Sequence, residues 1–156
     1  MFGKILYPTD FSEPSQKALD SVRRLFQGCV EEILVLHVFD RRELRNLATV
    51  GGIIGKYPID LDEEFNRLES EHLTKVKKIV DDLKSVGFAA TGIVREGIPL
   101  REILNVADEE KASVIVLGSH GKSNFEEVIL GSVSEGVIKQ SQQPVLVIKR
   151  DTRRRG

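Results

Sequence analysis

Glu32-Ile33-Leu34-Val35-Leu36-His37-Val38-Phe39 is the stretch that decides the fold class. It has the length of one strand and is apolar at nearly every position. A strand wetted on one face alternates apolar and polar residues. A run without that alternation demands burial on both faces, as in a parallel sheet covered by helices on either side.

Runs of the same kind recur along the chain. Ile5-Leu6-Tyr7 is ended by Pro8, Ala89 to Val94 forms a weaker third strand, and Val114-Ile115-Val116-Leu117 and Val145-Leu146-Val147-Ile148 complete the set. Helical periodicity fills the intervals. Ser12 reads as an N-cap with Pro14 in the first turn, Ala18, Leu19, Val22, Leu25 and Phe26 follow at helical spacing, and Gly28 ends that helix. A long helix carries Phe65, Leu68, His72, Val76, Ile79, Leu83 and Val86 on one stripe, with Gly87 at its C-terminal cap. Pro99 opens a helix bearing Leu100, Ile103, Leu104 and Ala107, and another spans about Ser132–Gln140. Residues Asp40 to Asp60, with Gly51, Gly52, Gly55 and Pro58, read as a loop, with room for a short helix before them. Five strands alternate with four helices. The expectation is a single α/β domain with an open parallel five-stranded sheet and helices on both faces. Ligands of such sheets bind beyond the carboxyl ends of the strands, which directs attention to the loops after Tyr7, Val38 and Leu117.

The totals agree with one such domain. The chain has 156 residues, 40% hydrophobic and 30% charged, with a formal net charge of -1. That balance buries a core and creates no whole-protein field for nucleic acid. The segment Arg150-Asp151-Thr152-Arg153-Arg154-Arg155 reads as a solvated basic tail, residues 150–156, behind a domain of residues 1–149. The single cysteine, Cys29, excludes an intrachain disulfide and a cysteine zinc site and reads as a small buried residue. Without a signal-peptide pattern or a membrane-length apolar run, the expected compartment is the cytoplasm, with no membrane partner.

The loop after the fourth strand reads Gly118-Ser119-His120-Gly121-Lys122-Ser123-Asn124 and reaches Gly131-Ser132 at the start of the next helix. Glycines let backbone N–H groups approach an anion, the helix N-terminus adds its positive dipole end, Ser132 and Ser134 bring hydroxyls, and Lys122 a compact charge. Together these describe a phosphate cradle. Two blander readings stand beside it: Gly118 ends a strand, and Gly131 allows close packing. The P-loop is excluded because the position five before Gly121 is Val116, inside a strand. The dinucleotide fingerprint is excluded because the first loop reads Pro8-Thr9-Asp10-Phe11-Ser12.

Gly118, two residues, Gly121, nine residues and Gly131-Ser132 together form G-x2-G-x9-G-S without a gap. With this motif the chain resembles the universal stress proteins of the ATP-binding subgroup. Ile5 to Ser12, His37-Val38 and Gln143 to Val147 extend the resemblance to the whole chain. It implies an adenine nucleotide alpha-hydrolase-like, Rossmann-like sheet of strand order 3-2-1-4-5. It also implies ATP, ADP or AMP as ligand, with Mg or Mn carried by the phosphates. Pro8, Thr9 and Asp10 would line the adenosine end, and Val38 would bond adenine through its backbone. Gly118, Ser119, His120, Gly121, Lys122, Ser123 and Asn124 would wrap ribose and phosphates. Gly131, Ser132, Val133 and Ser134 would complete the phosphate site. A homodimer through the C-terminal strand is implied too, and the apolar terminal run Val145–Ile148 is an edge that needs covering.

Asp10 has a second reading, support for the helix start at Ser12. His37 reads as a satisfied core histidine, His72 as packing, and His120 as the histidine that touches ligand. No nucleophile with an orienting base stands out, so catalytic residues are not assigned. The readings carried forward are an ATP-binding stress-response or signalling module, a slow or partner-activated ATPase, and an interaction protein with incidental nucleotide. Gly118→Val and Gly131→Val are expected to fold but to lose nucleotide.

Overall fold

In the computed structural model, residues 2–42, 45–46, 60–119 and 130–149 are described. The elements run β1 (Phe2–Pro8), α1 (Glu13–Phe26), β2 (Val30–Phe39), α2 (Leu61–Ser85), β3 (Ala90–Glu96), α3 (Pro99–Glu109), β4 (Val114–Gly118), α4 (Ser132–Gln140) and β5 (Val145–Ile148). The five strands form one parallel sheet in the order β3-β2-β1-β4-β5. This is the expected order. Leu6 of β1 is paired with Leu34 of β2 on one side and Ile115 of β4 on the other.

The period of two along the strands divides the core. Ile5, Tyr7, Ile33, Val35, Val114 and Val116 face α1 and α2, where they meet Ala18, Val22, Val76 and Leu83. Leu6, Leu34, Leu36, Ile115 and Leu117 face α3 and α4, where they meet Ile103, Val106, Ala107 and Val137. Each fully buried aliphatic side chain contributes about 1.5–3 kcal/mol, so both faces of the three central strands are needed to hold the sheet.

The local signals act as their chemistry requires. The Ser12 side chain accepts from the Ser15 N–H, and Pro14 stands in the first turn of α1. The Asp60 carboxylate caps α2 by accepting from the N–H groups of Asp62 and Glu63. Gly28 and Gly87, at φ 74° and 93°, take the left-handed conformation past the ends of α1 and α2. Strands β1, β2 and β3 run to Phe2, Val30 and Glu96, beyond the apolar runs. Parallel pairing continues through Lys4, Glu32 and Arg95. Val86 leaves the buried stripe of α2: it is the C-cap residue and 52% exposed, while Val80 takes the buried place. Cys29 is half-buried at the edge of the α1–α2 core. Residues 43–44 and 47–59 of the Asp40–Asp60 region and the basic tail lie outside the described residues. Among the described residues, no helix is long and apolar enough to cross a membrane.

Candidate functional site

From β1 the chain turns toward β2 through α1, and from β4 it turns the opposite way, toward β5. The carboxyl ends of β1 and β4 therefore diverge, and the crevice between their loops is where such sheets accept ligands. A cleft of about 770 Å³ opens there. Its walls include Pro8, Thr9 and Asp10 after β1, Val38 near the end of β2, Gly118 at the end of β4, and Gly131, Ser132, Val133 and Ser134 at the start of α4. Nine of the residues named from sequence are thus brought to one crevice from four segments of the chain.

The loop after β1 is held by its own side chains. Thr9 is 6% exposed. Its N–H donates to the Leu36 carbonyl (2.8 Å), its hydroxyl pairs with that of Ser15 (3.1 Å), and the same oxygen accepts from the Phe11 N–H (3.0 Å). Phe11 has φ 63°, a left-handed value that a phenylalanine keeps only where its surroundings fix it. One Asp10 carboxylate oxygen accepts from the Ser12 N–H at 3.0 Å. Asp10 therefore supports the helix start and also lines the cleft. Beneath the loop the Tyr7 hydroxyl donates to the Ser15 carbonyl at 2.7 Å, and burial pushes this phenol up from its ordinary pKa.

Strand β2 presents its two faces to different walls. Leu36 and Val38 point with the α3–α4 face, whereas His37 and Phe39 point the other way. The His37 Nδ1 lies 2.8 Å from the Thr9 carbonyl, an acceptor only, so Nδ1 carries the proton and donates it. The His37 ring stacks on Phe11 at 4.4 Å and meets His72 of α2 edge-on at 4.4 Å. His72 also touches Phe39, which packs on Phe65. Phe11, His37, Phe39 and His72 of this aromatic cluster, with Leu68 and Lys75 of α2 and Asp40 after β2, also line the cleft. Sequence reasoning did not place Phe11, Phe39, Leu68 or Lys75 in the site, and assigned His72 to packing alone. The usable signal was parity: in a strand whose Leu36 and Val38 face the α3–α4 side, His37 and Phe39 must face α2 together.

Three electrostatic features shape this wall. The Arg42 side chain and backbone N–H bond the Asp40 carboxylate and hold it below the usual carboxylate range. Burial, then the neighbouring His37 and Lys75, hold His72 below the usual imidazole value, with Glu71 opposing them. Lys75 reaches over the Phe11 ring and pairs with Glu71.

Gly118 has a different reason to be glycine from the one expected. A Cβ there would stand 2.5 Å from the Pro14 carbonyl oxygen and 2.8 Å from its carbon. Gly118 does end β4, and the end of that strand passes hard against the first turn of α1, so the close packing considered for Gly131 applies at Gly118 instead. Gly118→Val therefore strains the fold itself. Gly131, at φ -65°, is the N-cap of α4 and has no side chain to cap it. Ser119 is buried beside the cleft rather than lining it: its N–H donates to the Ile148 carbonyl at 3.0 Å, and among the described residues its hydroxyl has no hydrogen-bond partner. His120, Gly121, Lys122, Ser123 and Asn124 lie outside the described residues.

Comparison with known proteins agrees with the architecture. The profile of the universal stress protein family matches residues 1–149. Universal stress protein MJ0577 of Methanocaldococcus jannaschii is 42% identical over 156 residues, covering 96% of both chains. Universal stress protein YxiE of Bacillus subtilis is 36% identical over 149 residues, covering 96% of this chain and all of its own, 100%. The solved structure of MJ0577 superposes with a TM-score of 0.79 over 98% of this chain and 99% of its own, at 41% identity. A universal stress protein family protein of Arabidopsis thaliana, solved with AMP bound, has the same fold at 19% identity, with a TM-score of 0.66 over 96% of this chain and 93% of its own.

Proposed function

This chain belongs to the universal stress protein family, and from that premise we propose that its cleft holds an adenine nucleotide, as the ligand of a stress-response or signalling module. One observation carries the reading: a cleft of about 770 Å³ joins the Thr9–Asp10 loop and Val38 to the uncapped N-terminus of α4. That volume lies within the roughly 300–1,000 Å³ of small-ligand sites. It has an apolar side for a base and a helix N-terminus for an anion.

The fit can be followed group by group. The Leu36 carbonyl faces β1, where it accepts from Thr9. Alternate residues of a strand face the same neighbour, so the Val38 backbone also faces the β1 side, beyond the last paired rung, Pro8 with Leu36. There it can exchange hydrogen bonds with a base edge. Asp10, on the cleft wall, is placed as the polar partner for ribose. Gly131, Ser132, Val133 and Ser134 offer N–H groups and hydroxyls to phosphate beside Gly118, joined by the segment of His120, Gly121, Lys122, Ser123 and Asn124, while Ser119 backs this wall from beneath. A Mg or Mn ion bound with the nucleotide would screen the phosphate charge. Among the described residues, no cluster of three or more His, Cys, Asp or Glu is placed to hold a metal alone, so the phosphates would be its main ligands. The Arabidopsis protein of the same fold was solved with AMP bound, which supports an adenine nucleotide as the ligand.

The reading favours a switch. Nucleotide binding would favour one arrangement of the cleft loops, and a partner or a second copy of the chain joined through β5 would read that surface. A cytoplasmic setting, where nucleotide is abundant, suits this role. The test is to denature protein purified without added nucleotide, analyse the supernatant for ATP, ADP and AMP, and titrate emptied protein with each by calorimetry. Co-purified adenine nucleotide, or saturable binding with one site per chain, is expected. Protein that neither carries nor binds any of the three would end this reading.

A further inference from the structure

In a parallel ladder, the rung after Thr9 N–H to Leu36 C=O is Val38 N–H to Thr9 C=O. Among the described residues that rung is missing: no backbone bond joins Val38 to Thr9. The Thr9 carbonyl is instead taken by the His37 Nδ1–H at 2.8 Å. His37 lies on β2 itself, between the two residues that the ladder would use. Its ring is 7% exposed, stacked on Phe11 and abutted by His72, so its direction is fixed.

We propose that His37 is a positioning residue that ends the β1–β2 ladder one rung early, so that the Val38 N–H is left facing the cleft as the donor that reads the nucleotide base. The imidazole does this by substitution. A carbonyl at a strand end accepts readily from the next N–H of its neighbour, and a free Thr9 C=O would claim Val38. The His37 side chain draws that carbonyl toward the α1–α2 face, while Val38 stays on the β1 side of β2. The role rests on the nucleotide reading for its ligand, but the ladder ending itself can be measured without one.

Three proteins test it: wild type, His37→Leu and His37→Asn. The asparagine amide can place an N–H near the position of Nδ1; leucine cannot. Hydrogen exchange of the Val38 amide, followed by NMR in nucleotide-free protein, reads the ladder directly. Fast exchange is expected in wild type and His37→Asn, and slowed exchange in His37→Leu, where Val38 gains the Thr9 carbonyl. Calorimetry with ATP and GTP reads the consequence. His37→Leu should lose roughly two- to ten-fold in ATP affinity, the worth of about one hydrogen bond, and its preference between the two bases should shrink. A merely structural defect would lower both affinities by a common factor and leave their ratio unchanged.

Equal Val38 exchange in all three proteins overturns the proposal. So does an unchanged ATP to GTP ratio in His37→Leu. If wild type binds neither nucleotide, the nucleotide reading and the base-reading role of Val38 fail together, while the exchange data still decide whether His37 ends the ladder. If His37→Leu does not fold, His37→Gln replaces it. Its longer amide misses the Nδ1 position, and its Val38 amide is expected to be slowed relative to His37→Asn.

Discussion

Two glycines of one motif do different work. At Gly118 the nearest neighbour of an added Cβ is the backbone of Pro14, at 2.5 Å, which cannot swing aside as a side chain would. Gly118→Val should therefore destabilise the fold by about 1–3 kcal/mol, the usual cost of overpacking. A lowered denaturation midpoint without nucleotide would show it, and an unchanged midpoint would contradict the packing role. Gly131 has ordinary backbone angles and stands at an uncapped helix start. Gly131→Ser should keep or slightly raise stability, because serine caps well. It should weaken nucleotide binding, because the new hydroxyl takes an N–H that phosphate would use. Thermal denaturation and calorimetry on this pair of variants separate a folding glycine from a binding one.

The element with the largest consequence for the cleft is α2. Its N-terminus is fixed by Asp60, and its middle lies close on the sheet: a Cβ at Gly92 of β3 would stand 2.7 Å from Val76. This approach brings His72 against His37 and Phe39. Burial, His37 and Lys75 together depress the His72 pKa below its ordinary 6.5. The unfolded chain takes up the proton first as the pH falls, so it binds more protons than the folded chain below about pH 6.5, and stability declines there. Above that pH both forms are neutral at His72 and the effect vanishes. The denaturation midpoint of wild type should fall on acidification from pH 7 through the region below 6.5. His72→Phe keeps a ring against His37 and Phe39 and should fall less over the same interval. Parallel pH profiles for the two proteins would show that His72 contributes nothing to the decline.

At the scale of the whole molecule, assembly is tested at the β5 edge of the sheet. β5 pairs with β4 on one side, and all four of its residues, Val145 to Ile148, are only half-buried. The carbonyls of Pro144 and Ile148 accept from β4 and from Ser119 after it, so the even-numbered residues face inward and the backbone of Val145 and Val147 faces outward. A second copy joined along this edge would use the Val147 N–H. Val147→Pro removes that donor without removing one from the β4 ladder, a replacement that edge strands tolerate. If the chain is a dimer through β5, this variant should sediment as a folded monomer where wild type sediments as a dimer. A Val147→Pro dimer as tight as wild type would exclude pairing along this edge.

The sequence by itself determined the sheet. An apolar run at β2, repeated at β4 and β5 and separated by capped helices, has few solutions other than a parallel sheet with two covered faces. The five strands and the helices α1 to α4 stand where those local signals put them, and the motif spacing pointed to the family. Local sequence carries such information because periodicity, caps and glycine conformations act within a few residues. What tertiary structure decided is what distant segments do to one another. Gly118 must be small because α1 begins beside it. Val86 is exposed because α2 ends one residue sooner. His37 was legible as a satisfied core histidine, but its partner, the Thr9 carbonyl, is 28 residues away. Only the pairing of β1 with β2 shows that the bond replaces a rung of the sheet. That contact has no sequence signature, because it depends on where one strand stops relative to its neighbour.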